Sequence, residues 1–298
     1  MRVKYDYFLV VAMAFASAGL ASNVSSRVGN ARSGDWQQNP ETMMPEQSAA
    51  KARQVLSDLI NARGGAAYLE MRQSQCQGQR AQFGHNEAVT GYIGLTESRE
   101  YPDKARIEYT AKSHNLKSII NVVIGVEGLD LSHGGVIVAV YNGDRGWTMD
   151  KSGVTELPVT STAEFQEQTK RNIDNLLRLR LKEPGMIIRY GGIGTADLKE
   201  VEWVDITDSE ERNFRLAVDH STRLLVESVV TTENEETKQR DEDLTRYTNY
   251  QLKDTVWTPM QVSREHNGRR EAQFFYDSCR FNPGFPSDYF EPTSLKKK

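Results

Sequence analysis

The chain has 298 residues, 38% of them hydrophobic and 26% charged, and carries a formal net charge of −4. That composition supports a soluble globular core, with length enough for one large β domain or two ordinary ones. A nucleic-acid-binding surface needs the opposite sign or a concentrated basic stripe, and the one basic run, Lys296-Lys297-Lys298, reads as a solvated tail.

The amino terminus departs from this composition. Met1-Arg2-Val3-Lys4 is followed by the apolar run Phe8 to Ala16 and small residues ending Gly19-Leu20-Ala21, the pattern of a cleaved secretory signal over residues 1–21. The run is shorter than the roughly 18 apolar residues of a membrane span, and no Cys near its end offers a lipid acceptor. Residues 22–45 are dominated by Ser, Asn, Gly, Gln and Arg, so a flexible linker is expected there.

Pro45 suits a first helical turn, and Ala52, Val55, Leu56, Leu59 and Ile60 recur at helical spacing before Gly64-Gly65. This predicts an amphipathic helix with a glycine stop. Strands follow over Tyr68–Gln82 and Val89–Arg99; Tyr101-Pro102-Asp103-Lys104 signals a turn, and Ala105–Tyr109 returns. Leu116, Ile119, Ile120, Val123 and Ile124 fit a helical stripe, although their β-branched content suits a strand as well. The segment Leu116–Val126 is read either as a mobile lid or as a core element.

The run Val136–Tyr141 meets Asn142-Gly143 and restarts as Gly146-Trp147, the strongest hairpin signal in the chain. Ser161 and Glu164 form a capping box, and Phe165, Thr169, Ile173, Leu176, Leu177 and Leu181 predict one continuous helical face stopped by Pro184-Gly185. Strands are then expected over 186–190, 201–206, 213–219, 224–232, 243–252, 256–264 and 269–281, a density typical of sandwiches and barrels. The acidic stretch between Glu233 and Asp243 reads as a solvated hairpin end.

No catalytic or metal-binding constellation is complete. His85, His114, His133, His220 and His266 are scattered, without a spaced ligand pair, so no metal site is expected. His133-Gly134-Gly135, Gly191-Gly192-Ile193-Gly194 and Asp219-His220-Ser221 each read as turns, because each lacks the strand and helix context its chemistry requires. The chain is expected to need no cofactor and not to be an enzyme.

In order along residues 46–292, several motifs resemble the periplasmic outer-membrane lipoprotein-sorting, or LolA-like lipoprotein carrier, family. They are Ala62-Arg63-Gly64-Gly65, Pro102-x-x-x-Arg106, Tyr141-Asn142-Gly143-x-x-Gly146-Trp147, Val218-Asp219-x-x-Thr222, Trp257-x-Pro259 and Phe290-x-Pro292. The resemblance implies a mainly β, α+β fold over residues 46–295: an unclosed antiparallel β-barrel, a curled meander sheet whose apolar concave face is covered by helices. It implies a soluble periplasmic carrier of a lipid or an acylated protein, with inner- and outer-membrane lipoprotein machinery as partners. A ligand-sensing module of the envelope-stress sensor type is the alternative. It also implies a gating role for Arg106, which follows the Pro-containing turn. Candidate ligand-binding residues are Leu116, Ile120, Ile124, Trp147, Phe274 and Tyr276.

The last predicted strand carries apolar residues on both parities, Ala272, Phe274 and Tyr276 against Phe275, Cys279 and Phe281, as in a sheet buried on two sides. Cys76 and Cys279 are an even pair in an exported chain, which allows a disulfide, while chance occurrence stays equally open. They lie in the first and last predicted strands, which in a curled sheet can approach across the opening.

Overall fold

A computed structural model describes residues 40–84, 86–111, 135–233 and 238–295. The expected signal segment, the Leu116–Val126 insertion with Leu116, Ile120 and Ile124, the core of the acidic tip and the final lysines lie outside the described residues.

The described chain begins with a 3-10 turn, Pro40–Thr42, followed by helix α1, Pro45–Arg63. Pro45 occupies its first turn, and the backbone N–H of Gly65 bonds back to the Ile60 carbonyl. A single turn, α2 (Ala66–Leu69), follows before β1 (Gln73–Phe83). The strand expected from Tyr68 therefore starts five residues later, because Tyr68 is spent in a helical turn, fully buried, with its hydroxyl donating to Asp174 at 2.6 Å.

The sheet then runs β2 (Val89–Glu100), β3 (Lys104–Ala111), β4 (Gly135–Asn142), β5 (Arg145–Asp150) and a short β6 (Gly153–Glu156). In the β4–β5 hairpin Asn142 pairs with Arg145, and Gly143, at φ +63°, takes the corner. Helix α3 (Val159–Arg171) begins two residues before the expected capping box, with Pro158 at its N-cap and Ser161 buried in its first turn. The continuous helix expected through Leu181 is broken at Asn172, whose backbone is extended. Its Oδ1 accepts from the Asn175 N–H and caps a second short helix, α4 (Ile173–Asn175), which leads into a π-turn at Leu176–Arg180.

The rest is strand: β7 (Ile187–Ala196), β8 (Lys199–Thr207), β9 (Asn213–Asp219), β10 (Leu225–Glu233), β11 (Arg240–Lys253), β12 (Val256–His266) and β13 (Arg269–Phe281). The glycine run 191–194 is no turn. It lies inside β7, bulged against Trp203, where a Cβ on Gly194 would meet Trp203 Nε1 at 2.7 Å.

All thirteen strands form one antiparallel sheet in the order β6-β5-β4-β3-β2-β1-β13-β12-β11-β10-β9-β8-β7. The sheet is not closed: β6 and β7 are its edges. The first and last strands therefore do not face each other across the opening, as expected, but pair at the centre of the sheet. There Cys76 sits directly opposite Cys279, Cα to Cα 4.1 Å, and the two form a disulfide.

Helix α1 packs against β7, β8 and β12. Its Ala52, Val55, Leu56 and Leu59 join Val204, Ile206, Phe214, Leu216 and Val218 in the largest apolar cluster. The described residues belong to one compact unit, 38–298.

Candidate functional site

Strand β13 shows how the sheet sorts its two faces. Its register with β1 shifts between Gln77 and Gly78: Gln77 pairs with Ser278 and Gly78 with Tyr276, so Asp277 is an extra residue. A bulge of this kind reverses parity along one strand. Gly78 permits it, since a Cβ there would fall 1.9 Å from the Phe275 carbonyl oxygen. Ala272, Phe274 and Tyr276 before the bulge, and Cys279 and Phe281 after it, consequently share the helix-covered face; Phe275 alone turns outward, toward Tyr92. The two-sided burial expected for this strand is a single buried face with a kink in it.

On that inner face Phe274 meets Ile93, Leu95, Tyr109, Ile137 and Val262, with Tyr276 and Tyr247 packed alongside. Polar groups are set into this wall in matched sets. Arg99 donates to Glu97 at 2.7 Å through Nε, and Tyr276 donates to the other Glu97 oxygen at 3.0 Å. Burial alone would raise Glu97, but Arg99 and Arg264 outweigh it and hold the carboxyl below its usual range. Nearer α1, Arg63 lies 3.5 Å from Asp174 and 4.5 Å over the Tyr68 ring, while Arg178 stacks on Tyr101 at 4.4 Å. Burial pushes Tyr101 and Tyr109 up to about 12, so both hydroxyls stay neutral.

Phe274 and Tyr276 are thus brought together, but Trp147 and Arg106 lie on the opposite face. Trp147 pairs with Val140, Val140 with Arg106, and Arg106 with Ser98. That outer surface is covered by the carboxy-terminal segment, whose Phe290 and Leu295 bury Val138, Val140 and Trp147. Arg106 fastens the segment: one guanidinium nitrogen donates to Ser294 Oγ at 2.9 Å and to the Tyr289 carbonyl at 3.3 Å, and the group lies 4.8 Å over the Tyr289 ring. Its Nε donates to Glu108 at 2.8 Å.

Asp219-His220-Ser221 forms the turn expected of it. Asp219 Oδ1 accepts from the Ser221 and Thr222 N–H groups and from the Ser221 hydroxyl. His220 instead approaches Glu202, 3.4 Å away, so the three side chains make no relay. Among the described residues no cluster of His, Cys, Asp and Glu could hold a metal ion, and no helix is long and apolar enough to cross a membrane.

Sequence reading missed Arg80, Glu97, Arg99 and Arg264 on the inner face. The available signal was parity: Cys76 and Arg80 are four residues apart on one strand, so once the cysteine faces inward the arginine does too.

No protein-family model matches the chain, and no curated protein matches it in sequence. Among solved structures it is similar to a DUF1329 family protein from Desulfovibrio piger, at TM-score 0.53 and 11% identity, covering 82% of this chain and 99% of that one. It is also similar to a LolA superfamily protein from Nitrosomonas europaea (TM-score 0.49, 10% identity, 82% and 99% covered). A third is a putative outer membrane lipoprotein-sorting protein domain from Vibrio parahaemolyticus (TM-score 0.48, 10% identity, 84% and 100% covered). At TM-score 0.53 the first of these is a likeness of fold alone, and the unclosed antiparallel sheet with covering helices that the sequence resemblance implies is the fold observed here.

Proposed function

We propose that the protein is an exported carrier that holds a lipid or an acylated polypeptide against the inner face of its half-open sheet, in the manner of outer-membrane lipoprotein sorting. The observation that supports this reading is the apolar wall around Phe274, built from β2, β3, β4, β12 and β13 in a sheet whose two edge strands are not paired with each other. Acyl chains match such a wall because burial of apolar area drives association without directional demands, at ~25 cal/mol per Å². The Cys76–Cys279 disulfide suits an oxidising compartment, and the amino-terminal pattern suits export to one.

Native mass spectrometry on the full chain, purified gently from the periplasm of an expressing host, tests the reading. We expect lipid adducts, or uptake of offered phospholipid, and a loss of about tenfold or more in Phe274→Asp if the variant's circular dichroism stays native. A folded wild-type chain that carries no lipid and takes up none when offered overturns it. A crosslinked membrane signalling protein in place of cargo would favour the sensing module instead.

A further inference from the structure

Arg80 and Arg264 differ from Arg63 and Arg99, the carboxylate-paired arginines of the inner face. Arg80 on β1 and Arg264 on β12 flank Phe274 on the strand between them, their guanidinium carbons 5.6 Å and 5.1 Å from its ring centroid. Arg80 is only 5% exposed and its Nε has no hydrogen-bond partner, whereas Arg264 reaches solvent. Among the described residues neither has a carboxylate within ion-pair distance, while Arg63 has Asp174, Arg99 has Glu97 and Arg212 has Asp208.

The surrounding carboxylates act on the pair only at longer range, Glu97 on Arg264 and Glu271 on Arg80. Glu97 is committed to Arg99 and Tyr276, Glu271 is exposed, and Tyr109, which bonds to Arg80, stays neutral. Burial pulls Arg80 below its ordinary basicity, and the charge of Arg264 adds to the effect. A buried guanidinium in this state is unfavourable until an anion pairs with it.

We propose that Arg80 and Arg264 form a subsite for the anionic head group, phosphate or carboxylate, of an acyl ligand whose chain lies along the Phe274 wall. The inference rests on the carrier reading and names the polar end of that ligand. Guanidinium forks bind phosphate and carboxylate oxygens in pairs, and the aromatic ring between them holds the two forks in place. The gradient from exposed Arg264 to buried Arg80 gives the head group a route in from solvent. The tyrosine hydroxyl at 109 can add a third donor.

The test compares uptake by the full chain of phosphatidylglycerol and of diacylglycerol with matched acyl chains, with inorganic phosphate as a third arm. Wild type should prefer the anionic lipid by about tenfold or more. Arg80→Gln with Arg264→Gln should take up both lipids alike, the loss falling on phosphatidylglycerol. Should the double variant not fold, Arg264→Gln, at an exposed position, must still weaken the preference. Equal uptake of the two lipids by wild type, or a preference that survives in folded variants, overturns the subsite and leaves the carrier reading standing. Uptake of neither overturns both. Tight binding of inorganic phosphate on its own reassigns the arginines to a free small anion and overturns the head-group proposal.

Discussion

Replacing Cys76 and Cys279 together by Ala should lower stability by an amount the topology sets. The disulfide closes a loop spanning 203 residues, from the first strand of the sheet to the last. Chain-entropy closure of a loop that long constrains the unfolded state by about 5 kcal/mol, and removal of native bridges typically costs about 2–5 kcal/mol. The cysteines are direct cross-strand partners with ladder pairs on both sides, so the folded state should change little and the effect should lie in the unfolded chain. Urea unfolding followed by tryptophan fluorescence should show the midpoint falling by roughly 1–2 M, with a steeper transition because the unlinked chain exposes more surface. A loss under about 1 kcal/mol, or an unchanged slope, would refute the argument that the bridge acts through the unfolded state.

Asp208 is fully buried and accepts from Arg180 and Arg212, each at 3.0 Å, and from two backbone N–H groups. Asp208→Ala should cost about 3 kcal/mol in thermal or urea unfolding, because two largely buried guanidiniums lose their partner. Burial alone would raise Asp208, but its hydrogen bonds from Arg212 and Arg180 hold it below the usual range. Its stabilisation is therefore complete above the unfolded value near ~3.9 and fades as pH falls through the folded one, so Asp208→Asn should flatten the acid limb of the stability curve. His266 is raised by the hydrogen bond its Nδ1–H donates to Asp243 at 2.7 Å, so its contribution is complete below ~6.5 and fades as pH rises. NMR titration should find His266 above that value in the wild type and returned toward it in Asp243→Asn. Arg106→Leu should weaken the carboxy-terminal strap by roughly 1–3 kcal/mol, read as faster hydrogen exchange over 285–295 with the β4 amides unaffected.

The meander was legible because alternation and turn chemistry are local: the Asn142-Gly143 corner, the Tyr101–Lys104 turn and most strand limits needed no tertiary information. The errors sit where a distant contact decides. Apolar spacing runs unbroken through Ile173 and Leu176, yet Asn172 breaks the helix because Asn175, once capped, can donate to the Pro102 carbonyl 73 residues away. The Asp277 bulge leaves no mark in β13 itself, since what licenses it is Gly78 on the neighbouring strand. The same holds for the site. β1 is almost wholly polar, Gln73-Ser74-Gln75-Cys76-Gln77-Gly78-Gln79-Arg80, but Gln75 is buried under Tyr289 on one face and Arg80 against Phe274 on the other. Only the pairing of β1 with β13 turns those polar residues into interior groups.

That pairing also bears on why the sheet stays open. A meander that ended where it began would leave β1 and β13 as edges; instead they are zipped together at the centre, and the edges fall on β6 and β7, joined through α3. Both are poor templates for closure: β6 has four residues, and β7 is bulged at Tyr190–Gly192 with Pro40 packed on Gly192. Between them α3 is bolted to the sheet at several points. Phe165 stacks on Tyr141 of β4 at 4.3 Å, Arg171 pairs with Asp243 of β11 at 3.0 Å, and Glu167 and Lys170 pair with Arg212 and Glu210 at the β8–β9 turn. A helix fastened to strands from both halves of the sheet fixes their separation, so opening and closing by a rigid change of sheet curvature would have to break these bonds together. A motion that admits a ligand to the Phe274 wall leaves those bonds intact where it acts at the end of β12 that carries Arg264, away from Thr255 and Val256, against which the end of α1 packs.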